Sequence, residues 1–335
     1  MTAASPGGPV VVTGAAGFIG RAVSERLLAR GERVIGVDNF TAYYDPALKE
    51  ARVETLAPHP AFSLFRGDIA DAEAFARLVR EAGAVRIVHL AAQAGVRYSI
   101  DNPFAYAHSN LTGHLSVLEA CRGVPGFRHL VYASSSSVYG ERSGERAFSE
   151  DDAVEAPRSL YAATKRCDEL MSAAYAALYR LPQSGLRFFT VYGPWGRPDM
   201  AYFSFTQKIL AGEPIEVFGE GDMARDFTYI DDIVDGVVGV LDRPPAAEEP
   251  RVLNIGGGRP AALMDMIAAL ERALGLQAVK IMRPMQPGDV SRTFADVTKL
   301  AALTGYAPKV PLAEGLPRFV AWHREFYRGA APAGP

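Results

Sequence analysis

Short apolar runs alternate with longer amphipathic segments through the first half of this chain of 335 residues. The apolar runs predict strands at residues 10–13, 34–38, 62–66, 87–90, 129–134 and 186–190. The segments between them are long and periodic enough to predict helices at residues 17–30, 71–82, 103–122 and 160–181. Strands that alternate with helices are joined by right-handed crossovers, so the pattern predicts an α/β fold with a doubly wound parallel sheet.

The pattern becomes less regular after Val191. Residues 193–198 predict a rigid loop because they are rich in glycine and proline, and shorter helices are predicted at 202–211, 230–241 and 262–274. We therefore predict a first domain over residues 1–190 and a smaller, mixed α/β C-terminal domain over 191–330. A segment near 228–256, with a strand at 252–255, is expected to return to the first sheet. Residues 331–335 are expected to form a disordered tail.

Composition and charge exclude several classes of function. A net charge of −3 argues against a nucleic-acid partner, which would require a basic surface. The six histidines are scattered, without metal-ligand spacing, so no metal site is predicted. No leader sequence and no membrane-spanning apolar run is apparent, so we expect a cytoplasmic protein with no membrane partner. Cys121 and Cys167 both lie in predicted helices and are expected to be free thiols.

A glycine-spaced turn joins the first predicted strand to the first predicted helix. Its glycines, Gly14, Gly17 and Gly20, follow the pattern G-x-x-G-x-x-G, with Phe18 and Ile19 at the start of the helix. Glycine allows a tight turn and lets backbone N–H groups approach a pyrophosphate at a helix N-terminus. A glycine trio alone also fits an ordinary turn, but this position favours a Rossmann-like dinucleotide site.

The second predicted strand ends in Asp38, close to where a ribose-binding carboxylate is expected. Its carboxylate would accept hydrogen bonds from the adenosine hydroxyls and repel a 2′-phosphate. Asn39 and Phe40 follow it, with no arginine to receive that phosphate. The sequence therefore favours NAD over NADP as the cofactor.

Two further strand ends fall on the same predicted edge. Asp68, followed by Ile69, fits either an adenine contact or a helix N-cap. Ala91 is small enough to let a flat cofactor pass, although plain packing would also explain it. His89, inside the fourth apolar strand, is expected to be a core histidine with its hydrogen bonds satisfied.

A tyrosine and a lysine with catalytic spacing occur in the long helix predicted at 160–181. Tyr161 and Lys165 are separated by one helical turn, so both side chains lie on one face. A nearby ammonium favours the ionised phenol, which can then take a proton from a hydroxyl. The serine run Ser134–Ser137 follows the fifth strand, at the edge where such folds bind ligands. Together these residues indicate hydride transfer between an alcohol and a ketone beside a nicotinamide.

The same residues resemble a known family over nearly the whole chain, the extended short-chain dehydrogenases that act on nucleotide sugars. Longer stretches are similar to one branch, the UDP-glucuronate 4-epimerases. These stretches are residues 37–40, 43–45, 91–99, 159–165, 186–200 and 225–232. The last two, LRFFTVYGPWGRPDM and RDFTYIDD, are the most specific, because no generic dinucleotide-binding protein needs them.

This resemblance implies a reaction and a set of residue roles. Tightly held NAD would take hydride from C4 of UDP-glucuronic acid and return it to the other face of a 4-keto sugar, giving UDP-galacturonic acid. Tyr161 would be the acid/base and Lys165 its partner, in contact with the nicotinamide ribose. Ser135 would bind the reacting oxygen, with Ser136 and Ser137 beside it. Candidates for the substrate's sugar, diphosphate and uridine are Arg97, Thr190, Arg197, Arg225, Asp289 and Arg292.

The serine run also bears on the choice of reaction. Related dehydratases and decarboxylases carry acidic residues at the positions of Ser136 and Ser137, whereas this chain has hydroxyls. Because a 4-keto uronic acid loses carbon dioxide readily, we expect Thr190, the serines and Arg197 to hold its carboxylate out of the reactive geometry. The alternatives within enzymes are a UDP-hexose 4-epimerase and, less favoured, a UDP-glucuronate decarboxylase.

A different class, an NAD-binding scaffold without activity, is disfavoured because Tyr161 and Lys165 are both present. The resemblance also implies a homodimer formed through the predicted helices at 103–122 and 160–181. The sequence itself shows only that these helices carry ample apolar surface.

Overall fold

The computed structural model describes residues 8–141, 146–246, 249–285 and 291–328. Its strands are β1 Val10–Thr13, β2 Val34–Asp38, β3 Phe62–Arg66, β4 Arg86–His89, β5 His129–Ser135, β6 Gln183–Phe188, β7 Thr190–Tyr192, β8 Ile215–Phe218, β9 Ala224–Arg225, β10 Phe227–Tyr229, β11 Arg251–Ile255, β12 Ala261–Ala262, β13 Lys280–Arg283 and β14 Arg292–Thr293. The predicted disordered tail at 331–335 lies outside the described residues.

The α-helices are α1 Phe18–Ala29, α2 Pro46–Glu54, α3 Ala72–Ala82, α4 Tyr98–Asp101, α5 Pro103–Tyr106, α6 Gly113–Arg122, α7 Leu160–Tyr179, α8 Ala201–Ala211, α9 Ile230–Leu241, α10 Leu263–Leu274, α11 Thr298–Thr304 and α12 Leu312–Phe326. A π-helical segment, Ala107–Thr112, connects α5 to α6, so the helix predicted at 103–122 is continuous but locally underwound. No helix in the described ranges is both long and apolar enough to cross a membrane.

The predicted doubly wound sheet is confirmed. Seven parallel strands lie in the order β11-β6-β5-β4-β1-β2-β3, with the chain reversing direction of winding at β1 and β4. The central strands are buried on both faces, as the continuous valines of β1 predict. The late strand β11 pairs with β6 along Arg251–Ile255, so the chain does return to the first sheet after residue 191.

One predicted strand is wrong in its bounds. The run predicted at 186–190 is divided between two separate strands. The first, β6, begins earlier than predicted, at Gln183, and ends at Phe188. Thr190 then starts β7, which pairs in parallel with β10 rather than with the main sheet. The break turns Thr190 toward the C-terminal half of the molecule, where its N–H donates to the Asp226 carbonyl at 3.1 Å.

The helix α2 was not predicted, although its start has a readable signal. Asp45 is its N-cap and accepts a hydrogen bond from the Ala47 N–H at 2.9 Å, and Pro46 occupies the first helical position. The buried side of this segment is mixed: Leu48 and Val53 are buried beside Lys49 and the fully buried Arg52. A helix that buries an arginine lacks the apolar periodicity on which the other helices were recognised.

His89 is confirmed as a buried core histidine. Its side chain is 3% exposed, and Nδ1 is 2.7 Å from the Thr13 hydroxyl on the adjacent strand. Burial lowers its pKa to about 3, so the ring is neutral. Both cysteines are free thiols, buried Cys121 in α6 and exposed Cys167 in α7. Within the described part of the chain, no three His, Cys, Asp or Glu side chains cluster to hold a metal ion.

Candidate active site

A cavity of about 920 Å³ lies at the carboxyl edge of the main sheet and extends toward β7–β10. It brings together nearly all the site residues predicted from the sequence. Those that line it are Gly14, Gly17, Phe18, Ile19, Gly20, Asp38, Asn39, Asp68, Ile69, Ala91, Arg97, Ser135, Ser136, Ser137, Tyr161, Lys165, Thr190, Arg197 and Arg225.

Among the described residues, one predicted substrate residue does not line the cavity. Arg292 lies exposed on the short strand β14, and its neighbour Thr293 reaches the cavity instead. The structure therefore does not bring Arg292 into the site. Asp289 lies outside the described residues.

The glycine turn at the start of α1 has no room for side chains. A Cβ atom on Gly20 would lie 2.0 Å from the Gly14 carbonyl oxygen, and one on Gly14 would lie 2.8 Å from the Ala91 nitrogen. Gly14 also has a φ of 71°, which favours glycine. The backbone thus passes directly under the cavity at the N-terminus of α1. This cradle fits a pyrophosphate.

Asp38 supports the second half of the cofactor site. Its carboxylate, 7% exposed, accepts hydrogen bonds from the N–H groups of Ala16 at 3.0 Å and Phe40 at 2.9 Å. Arg66 lies opposite Asp38 on β3, but Glu50 holds its guanidinium through two hydrogen bonds, at 2.7 and 2.6 Å. The arginine opposite Asp38 is therefore already paired with a carboxylate, which keeps the pocket suited to NAD.

The alternative reading of Asp68 as a helix N-cap is wrong. The N-cap of α3 is Asp71, which accepts from the Ala74 N–H at 3.1 Å. Asp68 instead accepts from Ala70 N–H, from the Asn39 amide at 3.0 Å and from His108 at 3.1 Å. Burial opposes its ionisation, but these hydrogen bonds outweigh burial and hold its pKa below the ordinary value.

Tyr161 and Lys165 lie on the first turns of α7, which begins after the N-cap Ser159. Lys165 is 3% exposed, and its Nζ donates to the Ala133 carbonyl and to the Asp168 carboxylate, each at 3.0 Å. Tyr161 is half-buried, and its ring meets the edge of the Tyr106 ring at 6.0 Å between centroids. The carbonyl at the end of β5 thus fixes the lysine beside the serine run.

The four serines of the run divide into two roles. Ser134 points inward, and its hydroxyl donates to buried Glu169 at 2.6 Å. Ser135 caps a single 3₁₀ turn: its Oγ accepts from the Ser137 N–H at 3.2 Å and the Ser137 hydroxyl at 2.9 Å. Because Ser135 accepts both bonds, its own hydroxyl proton remains available for a ligand oxygen. Ser136 and Ser137 line the cavity beside it.

The substrate half of the cavity is built around an ion pair that the sequence did not reveal. Arg197 donates to Asp199 from Nε at 3.0 Å and from Nη2 at 2.5 Å, and the Tyr43 hydroxyl donates to the same carboxylate at 3.1 Å. Although burial favours the neutral acid, Arg197 holds the pKa of Asp199 below its ordinary value. Tyr43 and Asp199 both lie in motifs recognised from the sequence, but their contact joins segments far apart in the chain.

Arg52 holds the loop that carries Arg197. Its buried guanidinium donates to the carbonyl oxygens of Trp195 at 3.0 and 2.7 Å, of Gly196 at 2.9 Å and of Ala16 at 3.2 Å. It therefore links the substrate loop directly to the glycine turn. At the far end of the cavity, the Arg97 guanidinium lies over the Phe218 ring, 5.3 Å from its centroid.

The parallel sheet, the glycine cradle and the Tyr161–Lys165–serine group define a dinucleotide-dependent enzyme of the short-chain dehydrogenase type. The chain belongs to the NAD dependent epimerase/dehydratase family, whose family model matches residues 10–256. The enzyme is therefore an NAD-dependent one, and its fold and cofactor are as the sequence predicted.

Named relatives narrow the comparison. A probable UDP-glucuronate 4-epimerase of Rhizobium meliloti (strain 1021) is 46% identical over 96% of this chain and 98% of its own length. UDP-glucuronate 4-epimerase 3 of Arabidopsis thaliana is 45% identical over 97% of this chain and 78% of its own. UDP-glucuronic acid 4-epimerase from Bacillus cereus, solved with UDP-glucuronic acid and NAD, superposes with a TM-score of 0.89 at 36% identity, covering 95% of this chain and 100% of that one. The resemblance noted in the sequence is confirmed.

Proposed function

We propose that this enzyme interconverts UDP-glucuronic acid and UDP-galacturonic acid by inverting C4 of the sugar. The observation that carries this proposal is the set of residues that line one cavity: the glycine cradle, the Tyr161–Lys165 pair and the hydroxyls of Ser135, Ser136 and Ser137. Hydroxyls thus occupy the positions at which related dehydratases and decarboxylases carry acidic residues. Bound NAD supplies the hydride acceptor and donor, held by Gly14, Gly17, Gly20 and Asp38.

The proton chemistry falls to Tyr161 and Ser135. Tyr161 takes the proton of the C4 hydroxyl as C4 is oxidised, and returns it after the sugar has presented its other face. Ser135 donates its hydroxyl proton to the same oxygen, which steadies that oxygen as its charge changes. The Ala133 carbonyl and the Asp168 carboxylate hold Lys165 in place, on the same face of α7 as Tyr161.

Retention of the carboxylate distinguishes this reaction from decarboxylation. The hydroxyls of Ser136, Ser137 and Thr190 and the Arg197 guanidinium all line the cavity and can bind a carboxylate. Since Asp199 fixes the plane of the Arg197 guanidinium through two hydrogen bonds, a carboxylate bound there would be held in one orientation. That orientation would keep the C5–carboxylate bond from overlapping the C4 ketone.

The test is to incubate the purified protein, without added NAD, with UDP-glucuronic acid and follow the sugar signals by proton NMR. Formation of UDP-galacturonic acid without any pentose is expected. Formation of UDP-xylose or a 4-keto pentose would support the decarboxylase instead. If UDP-glucuronic acid is unchanged even with NAD added, while a neutral UDP-hexose is epimerised, the UDP-hexose 4-epimerase is correct.

The protein is also proposed to act as a homodimer through α5, α6 and α7. These helices pack against one another and present large apolar side chains to solvent: Phe104 is 87% exposed, Leu178 70% and Leu170 53%. Several exposed apolar side chains along one group of packed helices support an interface there. Light scattering should give twice the monomer mass, and Leu178→Glu should give a monomer.

The cytoplasmic location expected from the sequence stays a prediction.

A further inference from the structure

We infer that Asp168 is a positioning residue for Lys165, and that ionisation of this one buried carboxyl switches the lysine between a held and a loosened state. This inference rests on the proposed function of Lys165 as the partner of Tyr161. Asp168 lies three residues after Lys165 on α7, is buried and does not line the cavity.

The pair is buried and directly bonded. The Lys165 Nζ lies 3.0 Å from Asp168 Oδ2, and the two side chains are 3% and 1% exposed. The other carboxylate oxygen, Oδ1, is buried and has no hydrogen-bond partner among the described residues. Asp168 therefore makes one strong contact and leaves half of its acceptor capacity unused, which is costly for a buried charge.

The contact with Asp168 matters because it uses one of the few hydrogen-bond donors of Lys165. An ammonium has three donors. Asp168 and the Ala133 carbonyl take two of them from directions fixed by α7 and β5. One donor is then left for a ligand in the cavity that Lys165 lines. If the Asp168 contact is weakened, the long lysine side chain can rotate, and its remaining donor no longer points to the ligand position in the cavity.

The groups around the pair leave Asp168 as the only carboxylate that contacts Lys165 within the described ranges. On α7, Glu169 is occupied by Arg187 of β6, at 2.8 and 2.9 Å. Tyr132 of β5 stays neutral, because burial raises the pKa of its phenol. On β4 and α6, His89 and His114 are stacked at 5.3 Å, and burial lowers the pKa of both rings, so neither adds a charge.

Burial also makes the carboxyl itself titrate in an accessible range. It raises the pKa of Asp168 to about 6, and the neighbouring Lys165 opposes this rise only in part. Above that pH the carboxylate holds the ammonium through an ion pair. Below it the carboxyl is protonated, and the ammonium keeps at most a hydrogen bond to an uncharged oxygen, without the ion pair.

Asp168→Asn imitates the protonated form, since it keeps the shape and removes the charge. In the wild-type enzyme, kcat should fall as the pH drops through about 6. In Asp168→Asn, kcat at pH about 8 should already be lower by tenfold to about a hundredfold, which is the order of loss expected from misplacing a catalytic group, and the step near pH 6 should be absent. The matched control is Asp232→Asn, which removes a buried carboxylate from α9, outside the cavity, and should leave the pH of the step unchanged.

Two further measurements separate positioning from folding and from the proposed reaction. Thermal unfolding of Asp168→Asn at neutral pH should occur at a lower temperature than that of the wild type, because the buried Lys165 ammonium loses its carboxylate partner. A cooperative unfolding transition will show that the variant is folded, and the absence of the step near pH 6 then distinguishes positioning from a structural role. NADH affinity, followed by fluorescence, should show the same pH step as kcat in the wild type and none in the variant.

The outcomes are distinct. If Asp168→Asn keeps the step near pH 6 in both kcat and NADH affinity, the inference is wrong. A parallel loss of stability and activity with the step retained would show a structural role and would also overturn it. If the wild type does not turn over UDP-glucuronic acid but NADH affinity shows the Asp168-dependent step, the proposed function fails and the positioning of Lys165 stands.

Discussion

The cofactor half and the substrate half of the cavity are built in different ways. In the cofactor half, the shape comes from the backbone: glycines at Gly14 and Gly20 leave no room for a Cβ, and Asp38 is fixed by two backbone N–H groups. In the substrate half, the shape comes from side chains that contact distant parts of the chain, such as Tyr43 on Asp199 and Arg52 on Trp195. Substitutions in the cofactor half should therefore abolish cofactor binding, whereas substitutions in the substrate half should lower activity only in part.

The catalytic pair lies between the two halves and should give the largest effect. Tyr161→Phe removes the only group proposed to carry the C4 proton, so turnover of UDP-glucuronic acid should fall by about a thousandfold. The ring and its contact with Tyr106 are kept, so copurified NAD and thermal stability should match the wild type. NMR of the sugar measures turnover, absorbance of the bound cofactor measures the copurified NAD, and thermal unfolding measures stability. Retention of more than a tenth of the activity would show that another group carries the proton.

A glycine substitution tests the rigidity of the cofactor half. In Gly20→Ala the added Cβ would lie 2.0 Å from a backbone oxygen, so the glycine turn must shift. We expect loss of copurified NAD, loss of activity unless NAD is added in excess, and a lower unfolding temperature. Gly123→Ala is the matched control, since its Cβ would meet nothing closer than 3.5 Å and its φ is −74°. Equal NAD content in both variants would contradict the proposed cradle.

Paired arginine substitutions test the substrate half. Arg197→Ala should lower kcat/KM for UDP-glucuronic acid by tenfold to about a hundredfold, the value of a charge-assisted hydrogen bond, and should release a decarboxylated pentose. Arg292→Ala should change kcat/KM by less than about twofold, because Arg292 is exposed and does not line the cavity. If the pentose is absent and turnover is intact in Arg197→Ala, this arginine does not control the carboxylate.

The same contrast explains what the sequence could predict. Five of the six strands predicted in the first half, the glycine turn, Asp38 and the Tyr161–Lys165 spacing all depend on local periodicity or on neighbours in the chain. Helix α2, the Arg197–Asp199–Tyr43 contact and Asp168 beside Lys165 depend on burial and on partners brought together by folding. Asp168 is the clearest example. Its spacing from Lys165 can be seen in the sequence, but the burial that makes it an ion-pair partner of Lys165 cannot.

The smallest expected effect concerns the choice between NAD and NADP. Asp38→Asn keeps the side-chain volume but removes the charge that repels a 2′-phosphate, so the preference for NAD should fall by about tenfold without reversing. It should not reverse because Glu50 still holds Arg66, the nearest cation on the neighbouring strand. The double variant Asp38→Asn with Glu50→Gln releases that arginine and should bind NADP more tightly than Asp38→Asn alone. Titration of apoenzyme with NADH and NADPH measures both steps, and an unchanged preference in the double variant would mean that Arg66 does not reach the phosphate. The selectivity of the cofactor half would then rest on the Asp38 carboxylate and on the backbone that holds it, without a contribution from Arg66.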